Sequence, residues 1–231
     1  MTPRLKTSEF IDYLGSQANS NPGQTYLPSM INLSDDLDLS VTRLREQIEV
    51  AIALGFIDVR PRTGMRRLPY TFTPAVWQSL SYAVAMNESA FEAFSDLRRN
   101  VEIVYWKQAA SALKQEDQKA LQRLMESAWN KLKGTPIRIP HDEHRELHLM
   151  VFRRIGNPFV LGILEAYWEA YEAIGLGVYA DYYYLKEVWN HHQKMVDAIC
   201  ASDFTAGYKA LVEYVDLHYH RPGFSQEGSP A

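Results

Sequence analysis

From Pro74 to Tyr219 the chain carries no alternation of polar and apolar residues long enough for a strand, so most of its length is committed to helices. Apolar residues recur there at three- and four-residue steps, and explicit breakers interrupt them: Lys133-Gly134-Thr135-Pro136, Gly156-Asn157-Pro158 and Ala201-Ser202-Asp203. The spacing predicts helices near 74–86, 88–114, 116–132, 141–155, 158–178, 181–200 and 203–219, with Ser202 or Asp203 capping the last. Segments of this kind, joined by short connections, pack as an antiparallel all-α bundle. The tail 221–231, RPGFSQEGSPA, is rich in Gly, Pro and Ser and is expected to be disordered.

The first 69 residues follow a different pattern. Phe10, Ile11 and Leu14 give residues 7–17 a helical spacing, and NSNPGQTYLP then breaks it. A second short helix fits SMINLSDDLDLS, with Ile31, Leu33 and Leu37 toward a core and a tight turn at Asp38-Leu39. Ser40 is a suitable N-cap for a third helix, on which Val41, Leu44, Ile48, Ala51 and Ile52 form one stripe before Gly55 ends it. Residues 56–59 and 65–68 then pair as two short strands around a turn at 61–64. Three helices and a hairpin over residues 1–69 make a small α domain with a β wing, a winged helix-turn-helix arrangement. Residues 70–73 read as a linker into a second domain, 74–220, with Thr73 as N-cap and Pro74 at the first helical position.

Composition limits the partners. No apolar run is long enough to cross a membrane, and the N-terminus lacks the apolar core of a signal peptide, so a cytoplasmic location is expected. Cys200 is the single cysteine, which rules out an internal disulfide or a multi-cysteine zinc module and reads as a small buried hydrophobe. The net charge of -4 gives no whole-molecule attraction to nucleic acid. Residues 1–70 hold eight Lys and Arg against eight Asp and Glu, so any contact with DNA must come from placement. Arg60 to Arg67, RPRTGMRR, supplies such a local cluster, with four arginines and no acid.

Two stretches carry a resemblance. Leu27 to Gly64, LPSMINLSDDLDLSVTRLREQIEVAIALGFIDVRPRTG, resembles the winged-helix pattern of the GntR regulators: a Leu-Pro-Ser start, an S-x-T-x-x-R-E recognition helix and a wing ending in Val-Arg-Pro. Leu147 to Val160, LHLMVFRRIGNPFV, is similar to the F-H-x-x-I-x-x-x-x-G-N-P stretch of the sensor, called the FCD domain, of one GntR subfamily. The resemblance covers about residues 5–219. It implies a DNA-binding transcriptional regulator that acts as a homodimer on a two-fold, double-stranded operator and answers to a small organic-acid effector. In such a fold the second helix of the pair enters the major groove and the wing holds phosphates. Ser40, Thr42, Arg43 and Arg45 at the start of the third helix, with Arg60 and Arg62 on the wing, are then the candidate DNA contacts. The chain departs from the family at Val41, where relatives place an arginine, and at Met30-Ile31, where they place Glu-Arg. The alternative for Arg43 and Arg45 is a set of helix-surface ion pairs with Glu46 and Glu49.

For the sensor, His144 and His148 stand four apart, on one face of a helix and within reach of one ion. The resemblance adds His192 as a further ligand, aligns His148 with the family's F-H histidine, and sets Tyr214 where relatives have a last histidine. His144 takes the place of the family's Asp. Two readings stay open. In one, the three imidazoles, with Tyr214 or His218 nearby, hold Zn2+, Ni2+ or Co2+ and leave room for a carboxylate. In the other the metal is lost and the histidines bind an anionic effector or line a polar cavity. His191, adjacent to His192 on a helix, points some ~100° away. Arg98 aligns with an arginine that faces the effector in related sensors, and a salt bridge to Glu102 is the alternative. Tyr167, Trp168, Tyr171, Tyr182, Tyr183, Tyr184 and Trp189 either line a pocket or pack as core.

Three functional classes compete: a ligand-controlled regulator, a metalloenzyme using the three histidines, and a metal or effector sensor acting through protein partners. The sequence holds no nucleophile elbow, no Gly-rich phosphate loop and no recognisable base beside the histidines, which argues against an enzyme.

Overall fold

The computed structural model describes residues 8–174 and 182–219, with the side chains of 216–219 left aside. The chain divides into two compact units, Met1–Ser79 and Leu80–Ala231. The expected disordered tail, 221–231, and the last turns of the helix expected to reach 178 lie outside the described residues.

The first unit is built from α1 (Glu9–Ser20), α2 (Met30–Asp36), α3 (Val41–Ala53), β1 (Ile57–Arg60) and β2 (Gly64–Arg67). Each helix starts on a serine: the hydroxyls of Ser8, Ser29 and Ser40 accept from the backbone N–H of Ile11, Asn32 and Arg43. α3 stops because Gly55 turns left-handed at φ 71°, and its N–H and that of Phe56 donate to the carbonyls of Ile52 and Ala51. The chain then reverses into the hairpin, which is antiparallel with Ile57 opposite Arg67 and Arg60 opposite Gly64. Tyr26 adds a single bridge to Arg66. Phe10, Leu14, Leu33, Leu44, Ile48, Ala51, Ile57 and Met65 form the core.

That core is narrower than the apolar pattern suggested. Ile31 is 69% exposed, and Val41 and Ile52 also face solvent, because Leu33, Leu44, Ile48 and Ala51 already fill the space between α1, α3 and the hairpin. α1 begins two residues later than expected, at Glu9, and runs three residues further, through Ser20, before Pro22 forbids more.

Every described element of the second unit is a helix: α4 (Thr73–Met86), which spans the boundary between the units in sequence, then α5 (Ser89–Ala112), α6 (Gln115–Lys133), α7 (His141–Phe152), α8 (Pro158–Ile174), α9 (Tyr182–Cys200) and α10 (Phe204–Tyr219). Thr73 is the first residue of α4 and not its cap. Asn157 caps α8 by accepting from the N–H groups of Phe159 and Val160, and Asp203 caps α10 by accepting from Ala206. α5 packs on α7, α8 and α10, and α9 lies along α10 and α6. Trp106, Leu121, Met125, Leu147, Phe152, Leu164, Trp189 and Leu211 are among the side chains that fill the centre. Cys200 is half-buried at the edge of this core rather than enclosed by it. No described helix is long and apolar enough to cross a membrane.

Candidate functional site

In the first unit, Ser40, Val41, Thr42, Arg43 and Arg45 are all exposed around the start of α3. The apolar residues of α3 face the core, so the polar residues of its first turns are free to meet a large partner. Arg43 is held by neither Glu46 nor Glu49: it forms an ion pair with Glu9, at the start of α1, and Gln47 donates to the same carboxylate at 2.7 Å. These bonds, with the backbone bond of Glu9 first, hold its carboxyl below the ordinary range. On the wing, Arg60 pairs with Asp58 at 2.6 Å, while Arg62 sits at the exposed tip with φ 67°. Arg67 is used differently, donating to the carbonyls of Asn21 and Pro22 and so tying the wing to the loop after α1.

In the second unit, five helices send polar side chains to one point in the core. α5 brings Arg98 and Glu102, α7 His144 and His148, α8 Tyr167 and Trp168, α9 His192, and α10 Tyr214. The ring nitrogens of His144, His148 and His192 that face one another lie within 4.8 Å. His148 and His192 meet Nε2 to Nε2 at 3.2 Å, and His144 Nε2 lies 3.0 Å from the Tyr214 hydroxyl. His148 Nδ1 donates to Glu102 Oε1 at 2.9 Å, and the other oxygen of Glu102 accepts from Arg98 at 2.7 Å. Arg98, Glu102, His148, His192 and Tyr214 are each at most 1% exposed.

Electrostatics follow from that burial. Desolvation alone would push the Glu102 carboxyl up, but Arg98 and His148 outweigh it and hold the group below its ordinary value, as a carboxylate. Burial works against the Arg98 charge, and Glu102 more than restores it. Burial raises the Tyr214 hydroxyl well above its ordinary value, so it is a neutral phenol. The guanidinium lies 4.4 Å over the Tyr167 ring, a cation–π contact in a dry setting.

The donor types suit a divalent transition ion, although the 4.8 Å span of the three imidazole nitrogens is wider than a tetrahedral site at ~3.3 Å, so His144 would have to move closer to join the other two. Two imidazole nitrogens sharing one tetrahedral ion at roughly 2.0–2.1 Å sit about 3.3 Å apart, close to the observed separation of 3.2 Å. Glu102 accepts a hydrogen bond from the Nδ1–H of His148, which leaves the Nε2 lone pair of that ring turned toward His192; this carboxylate–histidine arrangement commonly orients metal ligands. Without an ion, the same contact is served by a proton shared between the two rings.

The structure thus brings together His144, His148, His192, Tyr214 and Arg98. The side chain of His218 lies outside the described residues. His191 points away, with Nδ1 3.6 Å from Glu213. For Arg98 the two expected roles are not exclusive, since the pair with Glu102 is part of the histidine cluster. Of the aromatic group, Tyr167, Trp168 and Trp189 are buried, while Tyr183 is 76% exposed and Tyr182 is exposed as well. Sequence reasoning missed the second use of Glu102, as acceptor for a histidine 46 residues away, for which no local spacing is a signal. It also missed Glu9 and Gln47 around Arg43, 34 and 38 residues apart in their contacts.

The sequence profile of the FCD domain matches residues 93–217, the stretch that holds every member of the histidine cluster. An uncharacterized HTH-type transcriptional regulator of Escherichia coli (strain K12), YieP, is 27% identical over 196 residues, covering 82% of both chains. The solved structure of a Streptococcus agalactiae GntR covers 90% of this chain and 95% of its own at 14% identity, with a TM-score of 0.62, a likeness of fold. A winged three-helix unit followed by this helical bundle, with the FCD match over more than half its length, places the sequence: the chain belongs to the FCD-domain family of GntR transcriptional regulators.

Proposed function

We propose that the protein is a one-component switch, in which a small carboxylate-bearing metabolite bound in the helical unit changes how the winged helices of a homodimer fit a two-fold operator. In this reading residues 1–69 bind DNA, 70–73 link, and 74–220 sense. Ser40 and Thr42 meet phosphate, Arg43 and Arg45 reach base edges or phosphate from the N-terminal turns of α3, and Arg60 and Arg62 hold the backbone from the wing. His144, His148 and His192 hold a divalent ion such as Zn2+, Ni2+ or Co2+, with Tyr214 beside them and Glu102 orienting His148. A bound ion supplies positive charge for one carboxylate oxygen, and Arg98 takes the acid from the other side. The protein works in the cytoplasm and catalyses no reaction.

The observation that carries the proposal is the meeting, in one dry core, of three imidazoles and a guanidinium drawn from α5, α7 and α9. Enrichment of an inverted repeat from random duplex DNA by the purified protein tests the operator half; failure to enrich any repeat refutes it. An X-ray fluorescence edge or elemental analysis on the same protein tests the ion. A second reading draws on Ile31 and Val41, exposed at 69% and 41% at the two places where relatives carry DNA-contacting side chains. There the first unit docks a protein partner instead, and the same enrichment experiment separates the two.

A further inference from the structure

Among the described residues, two buried N–H groups beside the histidines, Nε of Arg98 and Nε1 of Trp168, have no acceptor. Both side chains are 1% exposed. The Arg98 Cζ lies 5.7 Å from the centroid of the Trp168 ring, and that ring lies 4.7 Å from His144 and 5.1 Å from His148. The two donors therefore belong to the same cluster as the imidazoles. Buried donors in native interiors are almost always satisfied, and an exception at a binding site points to what the site takes. The contrast within this chain is direct: Trp106 Nε1 donates to the Phe204 carbonyl and Trp129 Nε1 to Gln193, each at 2.9 Å. For these two packing indoles the fold supplies an oxygen.

We propose that Trp168 is a specificity residue of the sensor site, whose indole N–H donates to an oxygen of the bound acid beside the Arg98 guanidinium. The inference rests on the effector reading above and deepens it. The charges of Arg98 and Glu102 cancel, so their pair alone gives an incoming anion little net attraction. The attraction comes from a divalent ion on the histidines, as proposed above, and the neutral indole N–H contributes direction. A donor fixed by packing rewards a ligand with an acceptor at one position and penalises an analogue that leaves the N–H unmet.

The test uses the full chain with 15N-labelled tryptophan indoles, with and without added Zn2+, titrated with acetate, succinate and citrate. Trp168→Phe and Trp168→Tyr assign the resonance, and heat of binding is measured in parallel. The expected result is a downfield move of the Trp168 indole proton as an acid binds, with Trp106 and Trp129 unmoved. Affinity for that acid falls on the order of tenfold in the variants, the worth of one hydrogen bond to a charged group. If an acid binds with heat and the Trp168 resonance stays still, the effector reading survives and the role of Trp168 is refuted. A Trp168 proton shifted upfield by a facing ring and indifferent to every acid refutes it in the same way. Absence of binding by all three acids sinks both. If the variants do not fold, the wild-type titration alone still decides between these results.

Discussion

Glu102→Gln is the sharpest single perturbation of the sensor core. The substitution keeps the shape of the side chain but removes the charge that balances Arg98, and turns an amide N–H2 toward one of two donors. Arg98 and Glu102 are 1% and 0% exposed, so water cannot screen the loss. Breaking a buried pair from one side costs about 3–5 kcal/mol, because a desolvated charge is left uncompensated. Against a total stability of about 5–15 kcal/mol this is a large share. At roughly 2–4 °C per kcal/mol for a chain of this size, the thermal midpoint should fall by about 6–20 °C. Circular dichroism melting and urea unfolding near neutral pH measure it. Replacing the pair together, as Arg98→Met with Glu102→Leu, should recover much of the loss, since apolar replacements of similar volume are often neutral. The acid limb has a definite sign. Glu102 is held below its ordinary value of 4.5, so its contribution is complete above that value and drains away as the pH falls through the lower folded value; the penalty of the Gln variant shrinks with it. A Gln variant within about 1 kcal/mol of wild type, the range of exposed pairs, would refute a desolvated ion pair in this core.

Three further outcomes are expected. His148→Ala and His192→Ala should each abolish Zn2+ binding by calorimetry while His191→Ala leaves it intact, because His191 faces Glu213 of α10 and not the other histidines; loss in the His191 variant would mean that the ligands lie on the other helical face. Arg62→Ala should weaken binding equally on all duplexes and lower the salt slope by about one, as one phosphate contact does, whereas Arg45→Ala should cost about 1–3 kcal/mol on the selected repeat and less elsewhere. Gly55→Ala should destabilise the winged unit by about 1–3 kcal/mol in thermal unfolding, since it imposes a side chain at φ 71°. A Cβ there would also stand 2.6 Å from Pro74 Cγ, so an unchanged midpoint would show that Pro74 yields freely.

Helix positions were readable because their ends are chemical. Asn157 and Asp203 cap α8 and α10 through their own side chains, and α9 ends at Cys200, as its periodicity predicts. Where the stop is a matter of packing the reading slips: α7 ends at Phe152, not 155, since Arg153 to Ile155 turn back before Gly156. Apolar spacing also treats every apolar residue alike, whereas the small core of the first unit has room for Leu33 and Leu44 but not for Ile31 or Val41. The His144–His148 step is visible in one helix, while His192 was placed by family likeness alone. Glu102 as the acceptor for His148 depends on how α5 lies against α7, which no stretch of either helix encodes by itself.

If α3 lies in the groove as proposed, the carboxylate that α1 lends to Arg43 sets a small toll on careless binding, since the pair is exposed. A duplex that offers only a passing phosphate exchanges one partner of the guanidinium for another and gains little. A sequence that presents two well-placed acceptors recovers the loss and more. Glu9, which has no need to touch a nucleotide, would in this way sharpen the choice among sites by weakening attachment to the wrong ones.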